Sequence, residues 1–270
     1  CNQLGLLDRA LGYFEESIKV KGGTWDRDDY WQVGLVKKNM GILDEAQEML
    51  DKALELYLAE VGDDDPIMVA KVYDSVGACC NKREDFTRGA ELYVKAYDLF
   101  NSTVGPMSPL TGWAANGAQE GYLGMGDVER HQYYLKRAFE VECTKDGIHP
   151  TPLHGMLGKL LELHTAEKNQ EASADIGTLQ QYHQYVEAAI DNLTKRNMAA
   201  DGNFGVVLHE MGRVYMLSGQ KFFPRALELF NQAQTLLKEV KEVDLSFLLL
   251  TLKMEIDMLT KHVSAAPTQK

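Results

Sequence analysis

The stretch Tyr30–Leu56, YWQVGLVKKNMGILDEAQEMLDKALEL, decides the fold. Two helix-period patterns meet at its centre. The first carries Tyr30, Val33, Gly34 and Lys37; the second carries Ala46, Leu50 and Ala53 at i, i+4 and i+7. Gly41 stands between them, where a turn needs a left-handed backbone that only glycine adopts without cost. Ala46 and Ala53 are small where two helices approach, and Leu50 fills the space between. The stretch predicts a helical hairpin with its seam written out.

The same logic recurs along the chain. The opening, CNQLGLLDRALGYFEESIKV, reads as the second half of a hairpin, with Gly5, Ala10, Phe14 and Ser17 in the places of Gly41, Ala46, Leu50 and Ala53. Its first helix is expected upstream of Cys1. Upstream residues or another subunit are then expected to cover the edge made by Leu4, Leu7, Leu11 and Phe14. The hairpin at Tyr30 is entered through Thr24 or Asp26 as a helix cap. The next reads Tyr73, Val76, Gly77, Cys80, Gly89, Tyr93 and Ala96, entered by Asp65-Pro66. Another reads Ala115, Ala118, Tyr122, Gly126, His131, Leu135 and Ala138, entered by Ser108-Pro109, with Gln119 in place of the expected glycine. A fifth unit, entered by Thr151-Pro152, reads His154, Leu157, Gly158 and Leu161. Its second helix, with Tyr185 and Ala188, fits only after a polar insertion near 165–177. The sixth reads Leu208, Met211, Gly212, Tyr215, Gly219, Ala226, Phe230 and Ala233.

The closing alanines 53, 96, 138, 188 and 233 are separated by 43, 42, 50 and 45 residues, a period that marks an internal repeat. The expected organisation is a repeat array over 1–241, a C-terminal capping helix over 242–263 and a tail over 264–270. The capping helix is expected to bury Phe247, Leu248, Leu252, Met254, Ile256 and Leu259 against the sixth hairpin, since a terminal repeat has to cover its apolar edge. The fold class is all-α.

Composition narrows the function. The chain of 270 residues has a formal charge of −12 and no basic stripe, which argues against nucleic acid and anionic membranes. Its longest apolar run is too short to span a bilayer. The four cysteines, Cys1, Cys79, Cys80 and Cys143, have no metal or redox spacing. They read as free thiols, and a reducing, intracellular compartment is favoured. His149, His154 and His164 lack the spacing of a metal site, and Asp63-Asp64-Asp65 lacks the glycine and terminal glutamate of a calcium loop. Gly117, Gly121, Gly124 and Gly126 lack the Lys-Ser/Thr of a phosphate loop and read as close helix approach. Tyr13, Phe14, Tyr93, Phe100, Tyr133 and Phe230 read as packing residues. No catalytic set, cofactor or metal site emerges.

These residues resemble the tetratricopeptide repeat: an aromatic, Leu-Gly and Tyr on the first helix, then Gly, Ala, Phe and Ala. Tyr30, Val33-Gly34, Gly41, Ala46, Leu50 and Ala53 carry the resemblance, as do Met211-Gly212, Tyr215, Gly219, Ala226, Phe230 and Ala233. The period near 42 and the phrases VGDDDPIMVA, VGPMSPLTGWA and DGIHPTPLHG are similar to the kinesin-light-chain subtype, with its Gly-x-x-His-Pro linker. The resemblance covers about residues 4–241. It implies a right-handed superhelix, or α-solenoid, of helical hairpins that acts by binding proteins.

It also implies which first-helix positions line the groove. Counted from Tyr30 these are Trp31, Leu35, Lys38 and Asn39; from Tyr73 they are Asp74, Ala78, Asn81 and Lys82. From Ala115 they are Asn116, Glu120 and Leu123, and from Leu208 they are His209, Arg213 and Met216. The fifth unit offers Lys159 and Glu162. Mixed charges and three asparagines, which both donate and accept, suit an internal, mixed-polarity segment of a protein partner or of a larger complex. The set by which some members clamp a C-terminal carboxylate is incomplete, with Lys71 in one position and Ser75 where Asn or Arg belongs. Three functions compete: a scaffold with a binding groove, a structural subunit using its convex face and edges, and a repeat domain of an enzyme.

Overall fold

The computed structural model describes residues 2–144, 150–168, 179–196, 202–240 and 244–265. Among them there are helices and short 3₁₀ turns and no strand. The helices are α1 (Asn2–Val20), α2 (Arg27–Met40), α3 (Leu43–Glu60), α4 (Pro66–Lys82), α5 (Phe86–Thr103), α6 (Pro109–Gly124) and α7 (Val128–Thr144). They continue as α8 (Pro150–Lys168), α9 (His183–Lys195), α10 (Gly202–Leu217), α11 (Phe223–Glu239) and α12 (Ser246–Ala265). The chain divides into two compact units, Cys1–Val141 and Glu142–Lys270.

In the unit Cys1–Val141 each helix packs on the next from α1 to α6, and the first helices α2, α4 and α6 also touch. The expected entry at Asp26 is a full capping box: its carboxylate accepts the Asp29 N–H at 2.9 Å and Asp29 accepts the Asp26 N–H at 3.1 Å. Gly41 ends α2 at φ 83°, and α3 begins two residues on. Ala46, Leu50 and Ala53 are fully buried. A Cβ on Gly34 would stand 2.8 Å from Leu50 Cγ, so the small-against-large seam is a steric fact. Burying one such leucine contributes about 2 kcal/mol. Asp65 and Ser108 cap α4 and α6 with proline in the first turn, as the sequence indicates.

The glycine-rich helix α6 is a contact surface. Cβ atoms on Gly117, Gly121 and Gly124 would meet Tyr93 at 2.0 Å, Ala90 at 3.0 Å and Phe86 at 2.4 Å. These glycines let α6 lie directly on α5. Gln119, at the position where the repeat expects a glycine, is wholly buried. Its amide donates to Asn116 at 3.2 Å, and its backbone carbonyl accepts from His131 Nδ1 on α7 at 2.9 Å.

The turn between α4 and α5 departs from the pattern. Its left-handed residue is Glu84, at φ 64°. A side chain there costs about 1 kcal/mol, so Glu84→Gly should stabilise the chain by about 0.5 kcal/mol after the extra freedom it gives the unfolded chain. A urea titration reads this as a raised midpoint at unchanged slope.

In the unit Glu142–Lys270, α10 packs on α8, α9 and α11, and α12 packs on α11. Phe230, fully buried, fills the space above Gly212, where a Cβ would stand 2.5 Å from its ring. Arg225 on α11 bonds Glu187 on α9 through Nε at 2.8 Å and Nη2 at 2.6 Å, and the Tyr215 hydroxyl donates to Glu187 at 2.6 Å.

Several expectations are corrected. Helix α8 starts at Pro150, two residues before Pro152. The fifth seam is set by Tyr182, Val186, Ala189 and Leu193, all buried, one residue out of step with Ala188. Tyr13 and Tyr133 are exposed, and so are Phe247 and Met254, while Leu252 and Leu259 carry the buried side of α12. Most of the insertion near 165–177, His149, Cys1 and the end of the tail lie outside the described residues.

Candidate protein-binding faces

In the unit Cys1–Val141 the first helices are joined side by side through their side chains. Trp31 Nε1–H donates to Ser75 Oγ across α2 and α4 at 2.9 Å, and its ring meets Tyr57 edge-on. Asn81 Nδ2–H donates to the Gly117 carbonyl across α4 and α6 at 3.1 Å. Trp31 and Asn81, both expected as partner contacts, are therefore also internal ties. The Asn81 Oδ1 is buried without a hydrogen-bond partner. Ser75, at the position weighed for a carboxylate clamp, is buried, with its own hydroxyl donated to the Lys71 carbonyl at 2.8 Å.

Lys38 and Asp74 are the electrostatic centre of this face. Both are half-buried, and neither has an ion-pair partner within 4.0 Å among the described residues. Burial pushes the Asp74 carboxyl up to about 6, against the opposing field of the Lys38 ammonium. Burial likewise lowers the Lys38 pKa, with Asp74 pulling the other way. Behind them the Tyr93 ring is wedged between Gly77 and Gly117. Burial raises the pKa of its phenol, and the Asp74 and Glu120 carboxylates add to the shift.

Asn39, Lys82 and Glu120 are exposed. Asn116 donates to Glu120 Oε1 at 3.4 Å. One turn before Asn116 stands Trp113, 58% exposed, and one turn after Glu120 stands Leu123, also exposed. Residues 113, 116, 120 and 123 share one side of α6 by their spacing. The sequence pattern misses Trp113 because it precedes the aromatic position from which groove residues are counted. Tyr93 reads as core in the sequence, and its ring is core here.

The first helices of the unit Glu142–Lys270 are linked by polar contacts between histidine or arginine and glutamate. His154 Nδ1 lies 2.8 Å from Glu210 Oε1, joining α8 to α10. His209 Nε2 lies 2.6 Å from Glu255 Oε2, joining α10 to α12, and Arg213 Nε is 3.8 Å from Glu255 Oε1. His209 is buried in this joint and Arg213 is half-buried. Lys159 is half-buried and Glu162 exposed. Burial raises the Glu210 pKa, while His154 opposes the rise.

Among the described residues no three His, Cys, Asp or Glu side chains gather as a metal site, and no helix is long and apolar enough to cross a membrane. Cys79, Cys80 and Cys143 are buried and form no disulfide among the described residues, and burial pushes the Cys80 thiol up to about 11.

No protein-family model and no curated protein matches this chain. Solved structures do. The kinesin light chain nearly identical TPR-like repeats of Podosopora anserina match with a TM-score of 0.54 at 15% identity, over 80% of this chain and 97% of that one. A single-substitution form of those repeats matches at 0.53 and 16% identity, over 77% and 93%. BtubC (BKLC) from P. vanneervenii matches at 0.56 and 14% identity, over 90% of this chain and 93% of that one. The fold is thus an all-α, tetratricopeptide-like solenoid of helical hairpins.

Proposed function

We propose that this chain is a non-catalytic scaffold that holds an internal, mixed-polarity segment of a protein partner on the first-helix face of the unit Cys1–Val141. The observation that carries the reading is the Lys38–Asp74 pair. Two opposite charges are held half out of water with no ion-pair partner in contact. Such desolvation costs free energy, and an extended backbone offsets it by accepting from the ammonium and donating to the carboxylate. On α6, Trp113 supplies an exposed aromatic anchor, the residue type that dominates binding energy at interfaces. Asn39, Lys82, Asn116 and Glu120 form the polar rim, and α12 caps the array.

A display library of random 12-residue peptides tests this. The chain should enrich a family of sequences that Asp74→Asn, Lys38→Met and Trp113→Ala each fail to retain. Equal enrichment by all three variants would sink the assignment. Asn81→Ala is a poorer probe, because losing its bond to Gly117 costs about 1 kcal/mol of stability. A structural subunit acting through its edges is the second reading, supported by Leu6, Tyr13 and Val20, all exposed at heptad spacing on α1. Under that reading the three variants keep every partner, and Tyr13→Lys loses it.

A further inference from the structure

Asp74 differs from other acidic residues of its unit. Asp29 pairs with Lys21, Asp51 with Arg88 and Asp127 with Arg130. Asp74, half-buried on α4, has neither a hydrogen bond nor an ion pair among the described residues. A carboxyl held partly out of water with no donor beside it takes up a proton at a higher pH than one in water.

The groups around it come from five helices. From α2 comes Lys38, the one charge among the described residues that acts on Asp74. On α4 itself Lys71 stands one turn earlier, its ammonium 3.9 Å from Met68 Sδ, and Lys82 stands about two turns later. From α5 come Tyr93, whose phenol lies in the field of Asp74, and Lys95, which sits over the Tyr73 ring. From α6 comes Glu120, which accepts from Asn116. From α3, Asp51 is held by Arg88 at 3.1 Å. The one histidine of residues 1–141, His131, is buried on α7 with Nδ1 2.9 Å from the Gln119 carbonyl.

We infer that mild acid releases the partner segment from the first-helix face of Cys1–Val141, through protonation of Asp74. The inference rests on the binding reading proposed for that face, in which the ionised carboxylate accepts from the segment's backbone. In the free chain burial pushes the Asp74 carboxyl up to about 6. In the complex the segment's N–H donors and Lys38 both favour the anion, which returns the carboxyl toward its ordinary 3.8. The segment therefore prefers the deprotonated chain. Affinity is complete above about pH 7 and falls as pH drops through 6, approaching tenfold for each further unit.

The probe is a peptide that the full chain enriches from a 12-residue library lacking Asp, Glu and His, made with blocked termini so that it does not titrate in this range. Isothermal titration calorimetry reads its affinity at pH 7.5, 6.5 and 5.5 at constant ionic strength. Binding should weaken about fourfold from pH 7.5 to 5.5. At pH 6 it should release about half a proton, read from the binding heat in two buffers of different ionisation enthalpy. Circular dichroism should be the same at both ends of the range. Asp74→Asn should bind more weakly than the parent, with an affinity flat across the range and no proton released. An affinity constant from pH 7.5 to 5.5 in the parent would overturn this inference and leave the binding reading standing. So would a fall that persists in Asp74→Asn, which would belong to another group. A library from which the chain enriches nothing would sink the binding reading and this inference with it.

Discussion

Gly117→Ala should destabilise the chain by about 3 kcal/mol, and Gly155→Ala should stabilise it by about 1 kcal/mol, although the two changes are chemically the same. Both glycines lie inside helices, where alanine is the better helix former. At Gly155 a Cβ meets nothing within 4 Å, so only the propensity gain remains. At Gly117 it would stand 2.0 Å from Tyr93 Cε1 and 2.2 Å from Cζ. Neither α6 nor the ring moves without opening the contact between α5 and α6. Urea denaturation followed by circular dichroism gives both signs. Adding Tyr93→Leu to Gly117→Ala should recover part of the loss, a coupling that independent sites do not show. A neutral Gly117→Ala would mean that α5 and α6 are not packed as described.

The second large effect is at Phe230. Its ring is fully buried, lies over Gly212, and has its centroid 5.5 Å from that of His209. Phe230→Ala removes the ring from a site whose neighbours are backbone and helix-bound side chains, so collapse is limited. A loss of about 4 kcal/mol is expected, read as a fall in the denaturation midpoint. Phe230→Leu should lose less than half as much, since it keeps most of the volume. Equal losses would point to aromatic contacts rather than volume as the source of stability.

Much of the fold was legible because the seam is steric. Gly34 against Leu50, Gly77 against Tyr93 and Gly212 against Phe230 need a small residue on one helix and a large one on the other, and periodicity exposes that pairing. Where the chain length between helices varies, the register is lost. The fifth second helix follows the polar insertion, and a slip of one residue rotates a helix face by about 100°, enough to exchange Ala188 for Ala189. The outward turn of Phe247 and Met254 was hidden for another reason. Hydrophobicity marks two apolar sides of α12 equally, and only packing on α11 says which one is covered. On the first-helix face the residue types were legible and their roles were not. Trp31, Asn81 and His209 commit their polar atoms to neighbouring helices, which no spacing rule reveals. Glu84 breaks the turn rule, so its left-handed backbone was invisible to a search for glycine.

The paired effect of Asp74→Asn on stability and binding tests the central claim most directly. With its carboxyl raised to about 6 in the folded chain, against an ordinary value of 3.8, Asp74 favours the folded state fully only below about pH 4. That advantage is lost as pH rises through 6. At pH 7 the buried carboxylate costs about 1 to 2 kcal/mol, allowing for partial solvent access. The asparagine variant should therefore melt higher than the parent at pH 7 and equally at pH 4, while its affinity for a peptide selected by the parent chain falls at least tenfold. Such opposite signs are what a charge kept for binding produces. A variant that is more stable at pH 7 and binds the peptide as tightly as the parent would contradict the account.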